Sequence, residues 1–95
     1  MLRALVFTSE RCPYCIYFKG IVKKLKRKFP EIVFEFVDVE QNPELAKRFD
    51  IEMLPTTVLL NGDEIVGGFM GFVDERTAER SLRDQLNNLK IESRK

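Results

Sequence analysis

At Cys12 the hydrophobic pattern of this chain changes period, and that change constrains the fold more than any other feature. Upstream, "LRALVF" (2–7) is a nearly continuous apolar run, the pattern of a strand covered on both faces. Downstream, Cys15, Phe18, Val22, Leu25 and Phe29 recur at spacings of 3, 4, 3 and 4, the stripe of an amphipathic helix. Pro13 suits the first helical position, where its missing N–H is not needed. Pro30 stops the helix, because the residue before a proline avoids the α region. "EIVFEFVDV" (31–39) then predicts a second buried strand, rich in β-branched and aromatic residues. Strand, helix and strand in this order imply a right-handed parallel unit.

The remainder reads as a second half that ends in an antiparallel hairpin. "QNPELAKRF" (41–49) predicts a short helix with Asn42 as its N-cap and Pro43 as its first residue. "TTVLLNGDEIVGGF" (56–69) predicts two strands around an Asn-Gly turn, the strongest short hairpin signal. From about Asp74, its expected cap, a last helix offers Ala78, Leu82, Leu86 and Leu89 to the core. The fold class is therefore α/β, in the order β-α-β-α-β-β-α, with a four-stranded mixed sheet and helices on both faces. Ninety-five residues make one domain, 1–95, since the chain is too short for two cores.

Composition narrows the function. Sixteen basic and fifteen acidic side chains leave a formal net charge of +1, which gives no global reason to bind nucleic acid or an anionic membrane. No apolar run reaches membrane-spanning length. "MLRALVF" lacks a small-residue cleavage site, so a signal peptide is not expected. The expectation is a cytoplasmic protein whose thiols are kept reduced, and a monomer. There a lone cysteine pair is reactive or metal-binding more often than a permanent staple.

Cys12 and Cys15 are the only cysteines. As a staple they would close a loop of only four residues. That is worth roughly 2 kcal/mol, against about 4.7 for a 100-residue loop. As a closed zinc site they lack two ligands, and the chain has no histidine; a metal would need a second chain or a small molecule. Chemistry fits best. Cys12 falls at the cap of the first helix, where unpartnered N–H groups carry about half a positive charge. A thiolate is stabilised there, and Arg11 beside it pushes the same way. Cys15 lies one turn on, on the apolar stripe, shielded beneath Cys12. A sulfur with a lowered pKa gains only a few-fold in attack but leaves faster.

"CPYC" after a strand and opening a helix resembles the active-site motif of the glutaredoxins, within the thioredoxin superfamily. The resemblance covers most of the chain in the same element order, and implies a thioredoxin-like fold. "MLPTT" (53–57) is similar to the family's loop with a cis-proline beside the cysteines, which makes Pro55 that residue and gives Leu54 the backbone that pairs with substrate. The resemblance implies a dithiol–disulfide oxidoreductase. Cys12 attacks a disulfide, Cys15 resolves the mixed disulfide, and a redox-active Cys12–Cys15 disulfide results. It implies no bound cofactor and no metal, with glutathione as a candidate co-substrate. Substrate-binding positions carried over are Arg11, Pro13, Tyr14, Leu54, Pro55 and Gly71.

The chain departs from both branches. Thioredoxins carry a buried aspartate and a nearby lysine where this chain has Val6 and Phe36, and an extra N-terminal strand and helix that are missing here. Glutaredoxins follow Gly-Gly closely with an acidic pair. Here Asp74 and Glu75 come six and seven residues after Gly68, and "FMGF" is closer to the thioredoxin pattern. The main expectation is thus glutaredoxin-like reduction of protein or glutathione mixed disulfides. The alternative is a thioredoxin-type reductant recycled by a thioredoxin reductase. A dimer holding an iron–sulfur cluster through Cys12 is a further class, and an electron-transfer partner without a substrate of its own another. The six cations of the first helix, Lys19, Lys23, Lys24, Lys26, Arg27 and Lys28, read as a solvated face, or else as a docking patch for an acidic partner. Gly67 and Gly68 read as a strand bulge.

Overall fold

The structure is a computed structural model that describes residues 1–93, with side chains as far as residue 90. Its elements are β1 (Leu2–Thr8), α1 (Pro13–Lys28), β2 (Ile32–Asp38), α2 (Pro43–Arg48), β3 (Thr56–Asn61), β4 (Glu64–Met70) and α3 (Glu75–Ser93). The strands lie in the order β2-β1-β3-β4. β1 and β2 are parallel, and β3 runs antiparallel to both β1 and β4. This is the expected order and the expected mixed sheet. Among the described residues, no helix is long and apolar enough to cross a membrane.

β1 is central, and its apolar run serves both faces. Ala4 and Val6 join Phe18, Val22 and Leu25 of α1 and Ala78, Leu82 and Leu86 of α3 in one core. Leu5 and Phe7 turn to the other side and meet Val37, Val58 and Leu60, with Leu45, Ala46 and Phe49 from α2 and its end. The α1 stripe is buried as its spacing requires, and Phe29 closes the helix with its N–H on the Leu25 carbonyl at 2.9 Å. Each large side chain so buried contributes roughly 1.5–3 kcal/mol.

Three local expectations are corrected. β2 is not a buried strand. It is the sheet edge, and its side chains alternate between buried and open, with Phe36 39% exposed. The Phe36 ring lies instead under the Lys19 and Lys26 ammonium groups, 5.5 and 5.7 Å from its centroid. Asn42 holds the N-cap position of α2 but makes no side-chain cap bond; its Nδ2 donates back to the Asp38 carbonyl at 3.0 Å and closes the turn after β2. The hairpin turns on Gly62 (φ +64°) and Asp63, because Asn61 is still paired with Glu64. The turn is one residue later than the Asn-Gly signal suggests.

The glycine pair lies beside an irregularity, as expected. Leu59 pairs with Gly67 and Leu60 with Ile65, leaving Val66 as the extra residue of a bulge. Gly68 has φ +128°, and a side chain there would strike the Thr57 carbonyl. Gln85 of α3 takes the space that a side chain on Gly67 would fill. Its Oε1 accepts from the Gly68 N–H at 2.8 Å, and its Nε2 donates to the Gly68 carbonyl at 3.1 Å. Asp74 caps α3 as expected, Oδ1 accepting from the Thr77 N–H at 2.7 Å. Of the six α1 cations, Lys24 and Lys28 reach across to α3. Lys24 lies 3.3 Å from Glu75, and Lys28 lies 3.1 Å from Glu75 and 2.9 Å from Glu79.

Candidate active site

The site grows from the turn that joins β1 to α1. The Cys12 N–H donates to the Ser9 carbonyl at 3.2 Å, and the Ser9 hydroxyl both accepts from the Arg11 N–H at 3.3 Å and donates to Glu40 at 3.1 Å. This pins the loop to the segment after β2. Cys12 is then the N-cap of α1, in extended conformation, with Pro13 at the first helical position. The Cys12 Sγ accepts from the Cys15 N–H at 3.2 Å. It therefore sits where the free N–H groups of the first turn converge.

Cys12 and Cys15 have Cα atoms 5.2 Å apart, and their sulfurs are joined in a disulfide. The two are not equivalent. Cys15 is 1% exposed, whereas Cys12 is partly open to solvent. Any attacking thiol or thiolate must meet the pair from the Cys12 side.

Arg11 is placed differently from the expectation. Its side chain is largely in water, and its Nε is 3.8 Å from the Glu40 carboxylate. Its charge is thus shared with Glu40 rather than directed at Cys12 alone. The helix N-terminus is left as the main electrostatic support of a Cys12 thiolate.

The Leu54–Pro55 peptide bond is cis, and Pro55 is fully buried. Leu54 packs partly against the core on the α2 side. The Thr56 hydroxyl donates to the Met53 carbonyl at 2.6 Å, which holds the loop against the start of β3. Gly71 has φ +77°, and a Cβ there would lie 2.8 Å from the Met53 Sδ. The loop after β4 therefore lies directly against the loop before β3. Tyr14 joins them from the motif: it is 63% exposed, and its ring centroid is 5.7 Å from that of Phe72. Phe72 in turn contacts Phe18, one turn below Cys15, at 6.3 Å.

Sequence reasoning missed Met53 and Phe72 as members of this surface. Met53, Met70, Phe72, Tyr14, Ile16 and Tyr17 are all large apolar or aromatic side chains left open. The available signal was that Met53 and Phe72 fall outside every periodic segment, in the loops flanking Pro55 and Gly71. Val6 and Phe36 are paired across β1 and β2, so the two positions are adjacent and both apolar. Among the described residues, no group of three or more His, Cys, Asp or Glu side chains is arranged to hold a metal ion. Clefts of about 350 to 570 Å³ open on the surface of the described residues, and neither cysteine lines these. Cys12 stands at an open stretch of surface, with Arg11, Pro13 and Tyr14 exposed around it.

Comparison with known proteins gives a consistent result. Residues 3–86 match the family model described as thioredoxin. A Thioredoxin H-type of Brassica campestris is 32% identical over 77 residues, covering 81% of this chain and 63% of its own length. A thioredoxin of Methanocaldococcus jannaschii is 36% identical over 64 residues, covering 65% of this chain and 74% of its own. The crystal structure of the germline-specific thioredoxin Deadhead of Drosophila melanogaster superposes with a TM-score of 0.79 at 27% identity, over 87% of this chain and 79% of that one. The chain spans 63% of the length of the plant relatives it matches.

Proposed function

This chain belongs to the thioredoxin family, and from that premise we propose that it is a thioredoxin-type dithiol–disulfide oxidoreductase that reduces protein disulfides and is itself re-reduced by a thioredoxin reductase. The observation that carries the reading is the unequal exposure of the two joined sulfurs at the head of α1. One sulfur is open at a helix N-terminus, and its partner is buried one turn behind.

In the reduced protein the Cys12 thiolate attacks one sulfur of a substrate disulfide. A Cys12–substrate bond forms, the substrate S–S bond breaks, and the departing sulfur leaves as a thiolate and takes a proton from water. Cys15 then attacks Cys12. The Cys12–Cys15 bond forms, the mixed disulfide breaks, and the second substrate sulfur leaves. The substrate gains two electrons and two protons; the protein loses two electrons. The first-turn N–H groups of α1 stabilise Cys12 both as attacking thiolate and as leaving group. Burial disfavours the Cys15 thiolate, so Cys15 does not compete for substrate.

Substrate binding falls to the apolar patch. Tyr14 and Phe72 form one wall, and Met53 with the Leu54 backbone the other, with Gly71 leaving room between them. Such a surface suits an unfolded or loop segment of a protein rather than glutathione, whose charged groups need fixed polar partners. The reading needs one chain only, and it suits the reducing cytosol that the cysteine usage suggests.

The glutaredoxin-like alternative rests on the "CPYC" motif and the open Tyr14. Thioredoxin relatives weigh against it. A coupled assay separates the two. Reduction of a protein disulfide is expected with NADPH and a thioredoxin reductase, and little turnover with glutathione and glutathione reductase. Turnover with the glutathione system alone would overturn the proposal.

A further inference from the structure

Four polar side chains are buried among the described residues: Thr8, Ser9, Thr56 and Thr57. None of them ionises. Thr56 donates to the Met53 carbonyl, and Ser9 to Glu40. The Thr57 Oγ1 differs. It is buried and has no hydrogen-bond partner, the only such side-chain atom among the described residues. A buried hydroxyl without a partner is unfavourable, and a change of state that brought it one would relieve that cost.

The register says which face it is on. Thr57 pairs with Val6 on one side and Phe69 on the other, and side chains opposite one another in an antiparallel pair share a face. Val6 and Phe69 belong to the core under α1 and α3. Phe18 packs edge-on against Phe69 at 6.0 Å. Cys15 lies three residues before Phe18 on the same helix stripe, toward the end of β1 where Ser9 receives the Cys12 N–H. Thr57 therefore lies beneath the stretch of α1 that carries Cys15 and Phe18. In the disulfide form the Cys15 sulfur is committed to Cys12. The core that includes Val6 and Phe69 is otherwise built from hydrocarbon side chains, among them Ala4, Leu59, Ala78 and Leu82.

We propose that the Thr57 hydroxyl is the hydrogen-bond donor to the Cys15 sulfur in the reduced protein, left without a partner while that sulfur is bonded to Cys12. The inference rests on the oxidoreductase reading, because it assigns a part in the resolving step. Cys15 gives its proton to water. Its thiolate, held by the Thr57 O–H, supplies the electron pair of the Cys12–Cys15 bond. The substrate sulfur departs with the pair of the broken mixed disulfide and is protonated by water. Thr57 so offsets the desolvation that otherwise keeps a buried sulfur protonated. In the resting reduced protein the partner is the Cys15 thiol, and a hydrogen bond between neutral groups corresponds to at most about a tenfold effect on an equilibrium constant.

The test compares Thr57→Val, which keeps shape and removes the hydroxyl, with Thr57→Ser, which keeps the hydroxyl. Each is equilibrated with a glutathione redox buffer, and the oxidised fraction is read by thiol labelling. Thr57→Val is expected to shift the equilibrium by up to about tenfold toward the disulfide, at most some 30 mV for two electrons. Thr57→Ser is expected to remain within threefold of the parent. A shift of less than threefold in Thr57→Val, or an equal shift in both variants, overturns the proposal. Unfolding by denaturant gives a second readout. Oxidised Thr57→Val should unfold at the same or a higher midpoint than the oxidised parent, and the reduced variant at a lower midpoint than the reduced parent. Equal loss in both redox forms overturns it as well. Neither measurement uses a reductase, so failure of the proposed electron donor leaves this test intact.

Discussion

Replacing Gly71 by Ala separates a turn requirement from a substrate requirement. Gly71 has φ +77°, where an L side chain costs roughly 1–2 kcal/mol. The added methyl meets only Met53, 2.8 Å from its Sδ and 3.8 Å from its Cγ. Met53 is exposed and unbranched, so its end swings aside at little cost. The expected loss of stability is therefore about 1–2 kcal/mol, and each kcal/mol lowers Tm by about 4–8 °C in a domain of this size. The effect on activity is expected to depend on substrate. A peptide lying along Gly71 would be displaced from about one hydrogen bond, roughly 1 kcal/mol or some fivefold in kcat/KM. A small aromatic disulfide, which needs only Cys12, should react at the parent rate. Thermal unfolding and the two reduction assays read this out. A stability loss above about 3 kcal/mol would refute the reasoning about space. Equal slowing of protein and small disulfides, or none, would make Gly71 a turn residue only.

Two further predictions concern the frame of the site. Gln85→Ala should lower stability by about 1–2 kcal/mol and speed hydrogen exchange at the Gly68 amide, whose partner is the Gln85 Oε1; an unchanged exchange rate would contradict the pairing. Acid should weaken the fold through four carboxyls held below their ordinary range. These are Glu35, by its hydrogen bonds to Arg3; Glu75 and Glu79, chiefly by Lys28; and Asp74, by the Thr77 N–H. Because their folded values are depressed, their contribution is whole above the ordinary carboxylate range and is lost as pH falls through the folded values. The urea midpoint should be nearly flat from about pH 7 to 5 and fall below about pH 4; a midpoint unchanged at pH 2.5 would exclude these pairings as contributors.

The parts of the fold that were legible in the sequence are those fixed by local pattern. The α1 stripe, the Pro30 stop and the Asp74 cap each depend on residues within a turn or two of one another. So does the position of Cys12 at a helix head. The misreadings share a different cause. Whether β2 was central or an edge depends on strand order, and its apolar content alone could not say that Phe36 would be shielded by lysines rather than by a helix. Adjacency in sequence sets Arg11 beside Cys12, but Glu40, some thirty residues away, lies against the same turn. Gln85 and Gly68 are joined only because α3 crosses β4. Met53 and Phe72 reach the site through loops, and loops carry no periodicity by which to place them. The family resemblance reached the superfamily and the cysteine pair. The four residues of the motif resemble the glutaredoxin branch, whereas the surroundings of Pro55 and Gly71 resemble the thioredoxin branch.

The central claim is that two joined sulfurs have separate tasks, Cys12 to attack and Cys15 to release. Incubating Cys12→Ser and Cys15→Ser, each in reduced form, with a disulfide-bonded protein and weighing the products by mass spectrometry tests it directly. The account predicts a stable mixed disulfide with Cys15→Ser and none with Cys12→Ser. An adduct on the Cys12→Ser protein, formed as readily as on Cys15→Ser, would contradict it.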